Sequence, residues 1–423
     1  MVVELIAVGT EILLGNIVNT NAAYLSEKCA GLGLSCYYQS VVGDNAGRLF
    51  DTIKTATERA DIIILSGGLG PTEDDLTKET AAKVFEKEMY PDENSKKRIQ
   101  EYFAKRGMTP TDNNWKQAMI PEGAIVADND NGTAPGIIME KGGKHMILLP
   151  GPPNELIPMF EKSMVPYLKE LQPGVIYSKT VKVCGIGESK AETMVSDLID
   201  AQTNPTIATY AKTGEVHLRV TAAADTEKEA KKLIKPVVKE LKYRFEDSVY
   251  TTEEEVTLEQ AVVNLLRKNN LTVTTAESCT GGMVAARLVN VPGVSESLKA
   301  GYITYADKAK HKLLGVRKGL LKKKGAVSAE VAEEMAKGAA IFSEADVAIA
   351  TTGIAGPDGG SEKKPVGLVY IACCVKGKVT VKECHFSGNR MKIRESTVAN
   401  ALILMRECIL EYCREAEYIK RSK

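Results

Sequence analysis

The chain has 423 residues, with 55 lysines and arginines balanced by 55 aspartates and glutamates, and its 44% of hydrophobic residues includes a single tryptophan. That length holds two or three domains, each large enough for its own core, and the balanced charge argues against a general electrostatic grip on nucleic acid or an anionic membrane. Nine cysteines without a CxxC pair and only four histidines argue against a disulfide framework or a Cys/His zinc site, so a cytoplasmic protein is expected.

The N-terminal MVVELIAVG has an acidic Glu4 and no basic lead, and reads as a buried first strand rather than a signal peptide. No apolar run reaches membrane-spanning length. From Met1 to about Leu171, short β-rich runs alternate with helical stretches, which predicts an α/β domain with a largely parallel sheet. VELIAVG, SCYYQSVVGD and ADIIILSGGLG each end in glycine or aspartate, and ligands of such folds gather at the carboxyl ends of strands. Asp44 follows the second run. After the third, Gly67, Gly68 and Gly70 permit an anion-holding backbone nest, and Pro71 with Thr72 is expected to start the next helix with Asp74 and Asp75 in its first turn. Those acids either complement the helix dipole or hold a divalent metal against a diphosphate. LPGPPNE adds a rigid turn that presents Asn154 and Glu155 to the same rim, unless Asn154 is a plain helix cap.

Pro173 and Gly174 mark a break. Beyond it VIYSKTVKVCGIGES, AETMVSDLIDAQ, EVHLRVTAA and KEAKKLIKPVVKELKYRF predict a small α+β unit. The lysines from Lys231 to Lys242 read as the solvated face of a helix, and Glu253 to Glu255 as a linker.

The last segment places TTAESCTGG (Thr274 to Gly282) between the apolar strand LTV and the helical MVAARLV. Ser278, Cys279 and Thr280 are three candidate nucleophiles beside helix N–H groups and two glycines, where an oxyanion or phosphate would be stabilised; a plain hydroxyl cap is the alternative. No histidine stands near a glycine turn. Lys308, Lys310 and Tyr305, after the strand AGYITY, are therefore the candidate bases, a lysine serving only if burial or a nearby positive charge keeps it neutral. DVAIATTGIAGPDGG repeats the strand-to-glycine-loop design, VGLVYIACCVKGKVTVKECHF is a hairpin with a Gly-Lys turn, and MKIRESTVANALILMREC is a closing helix.

GTEILLGNIVNTNAAYL, SGGLGPTEDDLT and LPGPPNE together resemble the N-terminal domain of the competence/damage-inducible protein A family, itself similar to molybdopterin-binding domains. The resemblance implies a metal-dependent ADP-ribose pyrophosphatase giving AMP and ribose 5-phosphate. Asp44 and Asp75 would hold the divalent metal (Mg, Mn or Co), Gly67, Gly68 and Gly70 the phosphates, and Thr72, Asn154 and Glu155 the substrate. The middle unit resembles the same family's KH-like domain, although GIGE at Gly185 to Glu188 lacks the second glycine of the nucleic-acid-clamping GxxG loop. AESCTGG, GYITYADKAKHKLLGV, AVSAEVAEEMAKGA, TTGIAGPDGG, KPVG and FSGNR look like the nicotinamide mononucleotide amidohydrolase family. That resemblance implies Ser278 as nucleophile, Lys310 as base, Tyr305 beside them, and Thr352 and Arg390 completing the site. Thr280, Gly281, Gly282 and Gly353 would contact substrate, with no cofactor.

The expected architecture is thus an α/β molybdopterin-binding-like domain (1–171), a small α+β KH-like domain (172–252) and an α/β amidohydrolase domain (253–423). The expected partners are nicotinamide mononucleotide, ADP-ribose and a second copy in a homodimer, with no membrane or nucleic acid. Two alternatives stay open: a nucleotide- or pterin-binding or transferase module at the N-terminus, and a non-enzymatic competence or DNA-damage adaptor.

Overall fold

A computed structural model describes residues 1–172 and 174–421; Pro173, part of the break read above, lies outside the described residues. The chain forms two compact units, Met1–Ser178 with Ala222–Leu233, and Lys179–Thr221 with Ile234–Lys423.

In the first unit the chain runs β1 (Val2–Val8), α1 (Thr10–Leu13), α2 (Thr20–Gly31), β2 (Ser35–Val42), α3 (Ala46–Arg59), β3 (Ile62–Ser66) and α4 (Thr77–Val84). It continues through β4 (Met89–Pro91), α5 (Glu93–Ala104), β5 (Met119–Pro121), β6 (Ile125–Ala127), β7 (Gly136–Lys141), β8 (Lys144–Leu149), α6 (Pro153–Met159) and α7 (Val165–Leu171). The main sheet has the order β2-β1-β3-β8-β7-β6. Its first four strands are parallel, and β7 and β6 pair antiparallel. A parallel strand covered on both faces reads as an unbroken apolar run, and β3, all of it buried, is IIILS. Leu49, Ile53 and Ala81 from α3 and α4 fill the core on one face. Leu25, Leu156 and Leu168 from α2, α6 and α7 fill it on the other. The carboxyl ends of β1, β2, β3 and β8 open on one rim, where the polar loops collect.

β9 (Val175–Cys184), α8 (Glu188–Asp200), β10 (Thr206–Lys212), β11 (Glu215–Ala224), α9 (Glu227–Phe245) and β12 (Val249–Thr251) build the small α+β sheet in the order β10-β11-β9-β12.

α10 (Leu258–Lys268), β13 (Val273–Glu277), α11 (Met283–Val289), β14 (Leu298–Ile303), α12 (Asp307–Leu314), α13 (Lys318–Lys324) and α14 (Ala329–Ser343) follow. β15 (Val347–Gly353), β16 (Leu368–Val375), β17 (Lys378–His385) and the 32-residue α15 (Arg390–Arg421) close the chain. The sheet order is β14-β13-β15-β16-β17, parallel among the first three strands and antiparallel thereafter. Residues of α10, α11 and α15 cover one face and α14 the other. The wholly buried β13 thus delivers Ser278 to its carboxyl rim, beside the end of β15.

α15 also packs against the tips of the middle sheet. A Cβ on Gly185 would stand 3.3 Å from Ile403 and from Glu407, and one on Gly214 3.0 Å from Ala399. Arg406 donates to the Val249 carbonyl at 2.8 Å. The GIGE loop thus has α15 side chains beside Gly185, which itself stays exposed. Among the described residues no helix is long and apolar enough to cross a membrane.

Candidate active site

The turn after β13 brings Ser278 to Lys310 of α12, whose Nζ lies 3.0 Å from Ser278 Oγ. The same nitrogen donates to the carbonyls of Thr304 at 2.8 Å and Tyr305 at 3.1 Å. Lys310 is fully buried and Ser278 nearly so. Burial pulls the lysine below its ordinary value, against the raising influence of Asp307 and Cys279. Lys308, two residues earlier, is exposed. Cys279 points into the core, and its thiol is pushed up to about 11 by burial.

The helix terminus is not the open anion site the sequence suggested. Glu277, buried immediately before Ser278, accepts from the N–H groups of Gly282 (2.9 Å), Val284 (3.0 Å) and Ala285 (2.9 Å). A carboxylate there satisfies the helix donors and complements the dipole, so Gly282 is a turn residue with φ +94° rather than a substrate donor. Ser278 N–H donates to Thr351 O at 2.9 Å and Gly281 N–H to Ser278 O at 3.1 Å. Among the described residues no carbonyl takes the N–H of Cys279 or Thr280. The fully buried Thr280 hydroxyl pairs with Thr351 Oγ1 at 2.7 Å, which leaves the backbone of this residue, not its side chain, to face a substrate.

Thr352 is also fully buried and donates to Ala326 O at 2.8 Å, tying the end of β15 to the segment before α14. Gly353 leaves no room for a side chain, since a Cβ would stand 2.5 Å from Val369 Cγ2. It serves strand packing. Tyr305 and Arg390 are exposed, and Arg390 donates to the Gly356 carbonyl at 2.7 Å and to the Tyr305 hydroxyl at 3.3 Å. The pair forms a polar edge between the glycine loop and α12.

Arg394 went unnoticed in the sequence. One turn after Arg390 on α15, it donates to the carbonyls of Cys279 (3.1 Å) and Thr280 (2.8 Å), and so ties down the turn that carries Ser278. The i, i+4 spacing of two arginines was the available signal. Glu277 stood next to Ser278 in the motif, but only its three bonds show what it does.

In the first unit the rim holds a cavity of about 750 Å³, lined among others by Glu11, Asp44, the Ser66–Asp75 loop, Gln117 and Glu155. A Cβ on Gly67 would stand 2.2 Å from Val8 O, and one on Gly68 2.2 Å from Thr77 Oγ1. Only glycine lets this loop lie so close. α4 starts at Thr77, so Asp74 and Asp75 precede it rather than occupying its first turn, and Pro71 and Thr72 do not begin it. Asp75 folds back on the loop, accepting from Thr72 N–H at 3.0 Å and from its hydroxyl. Lys116 donates to the carbonyls of Thr72 and Asp75 at 2.8 and 2.6 Å. Glu155 accepts from Asn129 at 2.7 Å, whereas Asn154 is outside the cavity lining, its carbonyl bonded to Asn131.

The two acids expected to hold a metal are each tied to a threonine. Asp44 accepts from Thr10 N–H at 2.9 Å and its hydroxyl at 2.8 Å, and Asp75 is committed to Thr72. Among the described residues no three His, Cys, Asp or Glu side chains converge as a metal site. The bonds to Asp44 and Asp75 engage one carboxylate oxygen of each acid, Oδ2 in both cases.

Models of three protein families match the chain: a probable molybdopterin binding domain over residues 4–170, a damage-inducible protein CinA KH domain over 178–251, and a CinA C-terminal domain over 255–409. A CinA-like protein of Dictyoglomus turgidum is 53% identical over 407 residues, covering 96% of this chain and 99% of that one. The chain belongs to the CinA family. A CinA-like protein of Kosmotoga olearia is 50% identical over 410 residues, with 97% and 99% covered. Among solved structures, the competence/damage inducible protein CihA of Agrobacterium tumefaciens is 42% identical, covers 35% of this chain and 91% of its own, and has a TM-score of 0.35.

Proposed function

We propose that the C-terminal domain hydrolyses the carboxamide of nicotinamide mononucleotide, giving nicotinate mononucleotide and ammonia, with Ser278 as nucleophile and Lys310 as base. The carrying observation is the environment of Lys310 Nζ. Two of its three polar neighbours are carbonyls, which only accept, and the third is the Ser278 hydroxyl. A neutral amine has two N–H donors and one lone pair. Both donors go to the carbonyls, and the lone pair then faces the serine proton.

In this reading Lys310 takes the proton as Ser278 Oγ bonds to the amide carbon, and the carbonyl becomes an oxyanion. The N–H groups of Cys279 and Thr280 are the candidate donors to it. Lys310 returns the proton to the nitrogen as the C–N bond breaks and ammonia leaves. The acyl ester on Ser278 is then cleaved by water, whose proton Lys310 accepts, and the serine is regenerated. The substrate's pyridinium charge makes the carboxamide more electrophilic and disfavours a protonated lysine nearby. The Arg390 guanidinium suits the 5′-phosphate, since two of its nitrogens are anchored and its exposed side is open to a dianion. Ammonia release from nicotinamide mononucleotide by the purified chain tests this, and a chain that releases none overturns it.

For the first unit we propose an ADP-ribose site in the rim cavity, the glycine loop facing the diphosphate and the products being AMP and ribose 5-phosphate. The observation behind this reading is the cavity beside the glycine loop, with Lys116 placing its charge behind that loop. Chromatography of ADP-ribose incubated with the protein tests it. ADP-ribose left intact and unbound would refute it.

A further inference from the structure

Lys308 and Lys312 on α12 and Lys318 and Lys322 on α13 line a second cavity, of about 460 Å³, together with Asp307, His311 and Leu321. Each lysine pair has i, i+4 spacing, so like charges stand above one another on both helices, an arrangement that destabilises isolated helices. Among the described residues none of the four has an ion-pair partner, although their neighbours do: Arg317 pairs with Glu334 and Lys324 with Glu330. Four lysines and one aspartate thus line it. His311 Nδ1 lies 2.8 Å from the Val316 carbonyl, which leaves Nε2 for a ligand, and the buried Leu321 gives the cavity an apolar wall.

We propose that this cavity binds a small polyanion carrying two or more phosphate groups, at a site separate from both nucleotide sites. Its volume suits a small molecule, and clustered, unneutralised ammonium groups around a concavity favour multiply charged phosphate over single anions. An extended nucleic acid fits less well. The adjoining α14 presents Glu330, Glu333 and Glu334, which interrupt any continuous basic stripe.

The site lies on the helix that carries Lys310. Negative charge bound there favours the protonated lysine and opposes the base, so the polyanion inhibits ammonia release; this consequence, unlike the site itself, rests on the amidase reading.

The test is limited acetylation of the full-length protein with sodium tripolyphosphate, or with sodium chloride at matched ionic strength, each lysine being read by mass spectrometry. Tripolyphosphate should protect Lys308, Lys312, Lys318 and Lys322 together, half-maximally below about 1 mM, and leave the exposed Lys363 unchanged. In the Lys312→Gln/Lys322→Gln variant the remaining Lys308 and Lys318 should lose that protection. Absent protection, equal protection by chloride, or protection by a DNA duplex but not by tripolyphosphate overturns the site. Inhibition of ammonia release that persists undiminished in the double variant overturns the coupling. A protein that never releases ammonia refutes the amidase reading and leaves the acetylation result interpretable.

Discussion

Cysteine is intrinsically the better nucleophile, yet the proposed mechanism gives the attack to its neighbour Ser278. Burial raises the Cys279 thiol to about 11, so at pH 7.5 the thiolate fraction is on the order of 10⁻³ to 10⁻⁴, and only the thiolate is reactive. Its side chain also packs in the core, while Ser278 Oγ stands 3.0 Å from a buried lysine. Ser278→Ala should therefore lower kcat/KM for ammonia release by roughly a thousandfold or more, since it removes the nucleophile and idles the base. Cys279→Ala should stay within about tenfold of wild type and cost roughly 1–2 kcal/mol of stability through lost packing. Ammonia release under first-order conditions, with thermal unfolding of each variant, separates the two effects. A Cys279→Ala protein that folds but is inactive, beside an active Ser278→Ala protein, would refute the reasoning and make the thiolate the nucleophile.

Lys310→Met should lose roughly 10²–10⁴-fold in kcat/KM, whereas the exposed Lys308→Met should match wild type in an assay without polyanion; equal effects would remove Lys310 as base. Because burial lowers Lys310 and the proposed mechanism uses its neutral amine, wild-type kcat/KM should rise with pH along one ionisation centred below the ordinary lysine value of about 10.4, and a fall over that range counts against it. Arg394→Met should lower kcat more than it raises KM, with Arg394→Lys restoring part, because it holds the turn and not the substrate; a pure KM effect would mean substrate contact. In the first unit Asp75→Ala should lower ADP-ribose hydrolysis at least about tenfold and Asp75→Asn much less, since an amide oxygen still accepts from Thr72; equal losses would restore a charge or metal role. Lys78 is buried and lowered from 10.5 to about 8 by desolvation. As pH falls the unfolded chain therefore takes the proton first, and this group's share of stability declines by about 3 kcal/mol between pH 10.5 and 8, staying flat below. Lys78→Met should abolish that slope in denaturant titrations at stepped pH, and an unchanged slope would assign it elsewhere.

The hydrophobic pattern of the sequence determined the α/β class, the buried strands β3, β13 and β15, and the strand-to-loop junctions where both candidate sites lie. Period-two and period-3.6 burial are local properties, and an unbroken run such as IIILS has few alternatives. The motifs also marked Ser278, Lys310, Arg390 and the Gly67–Gly70 loop, whose chemistry depends on residue type at short spacing. Partnerships were different. Whether the helix donors after Ser278 face a substrate or the side chain of Glu277, whether Thr280 and Thr352 point outward or into the core, and whether Asp75 holds an ion or its own loop depend on side-chain directions and on elements far apart in the chain. Arg394 reaches Cys279 and Thr280 only because α15 packs across the sheet more than a hundred residues later in sequence. Polar side chains have several possible partners at similar energy. Only the tertiary packing, which strips water from some of them and so obliges each buried group to find a donor or acceptor, decides which partner it takes.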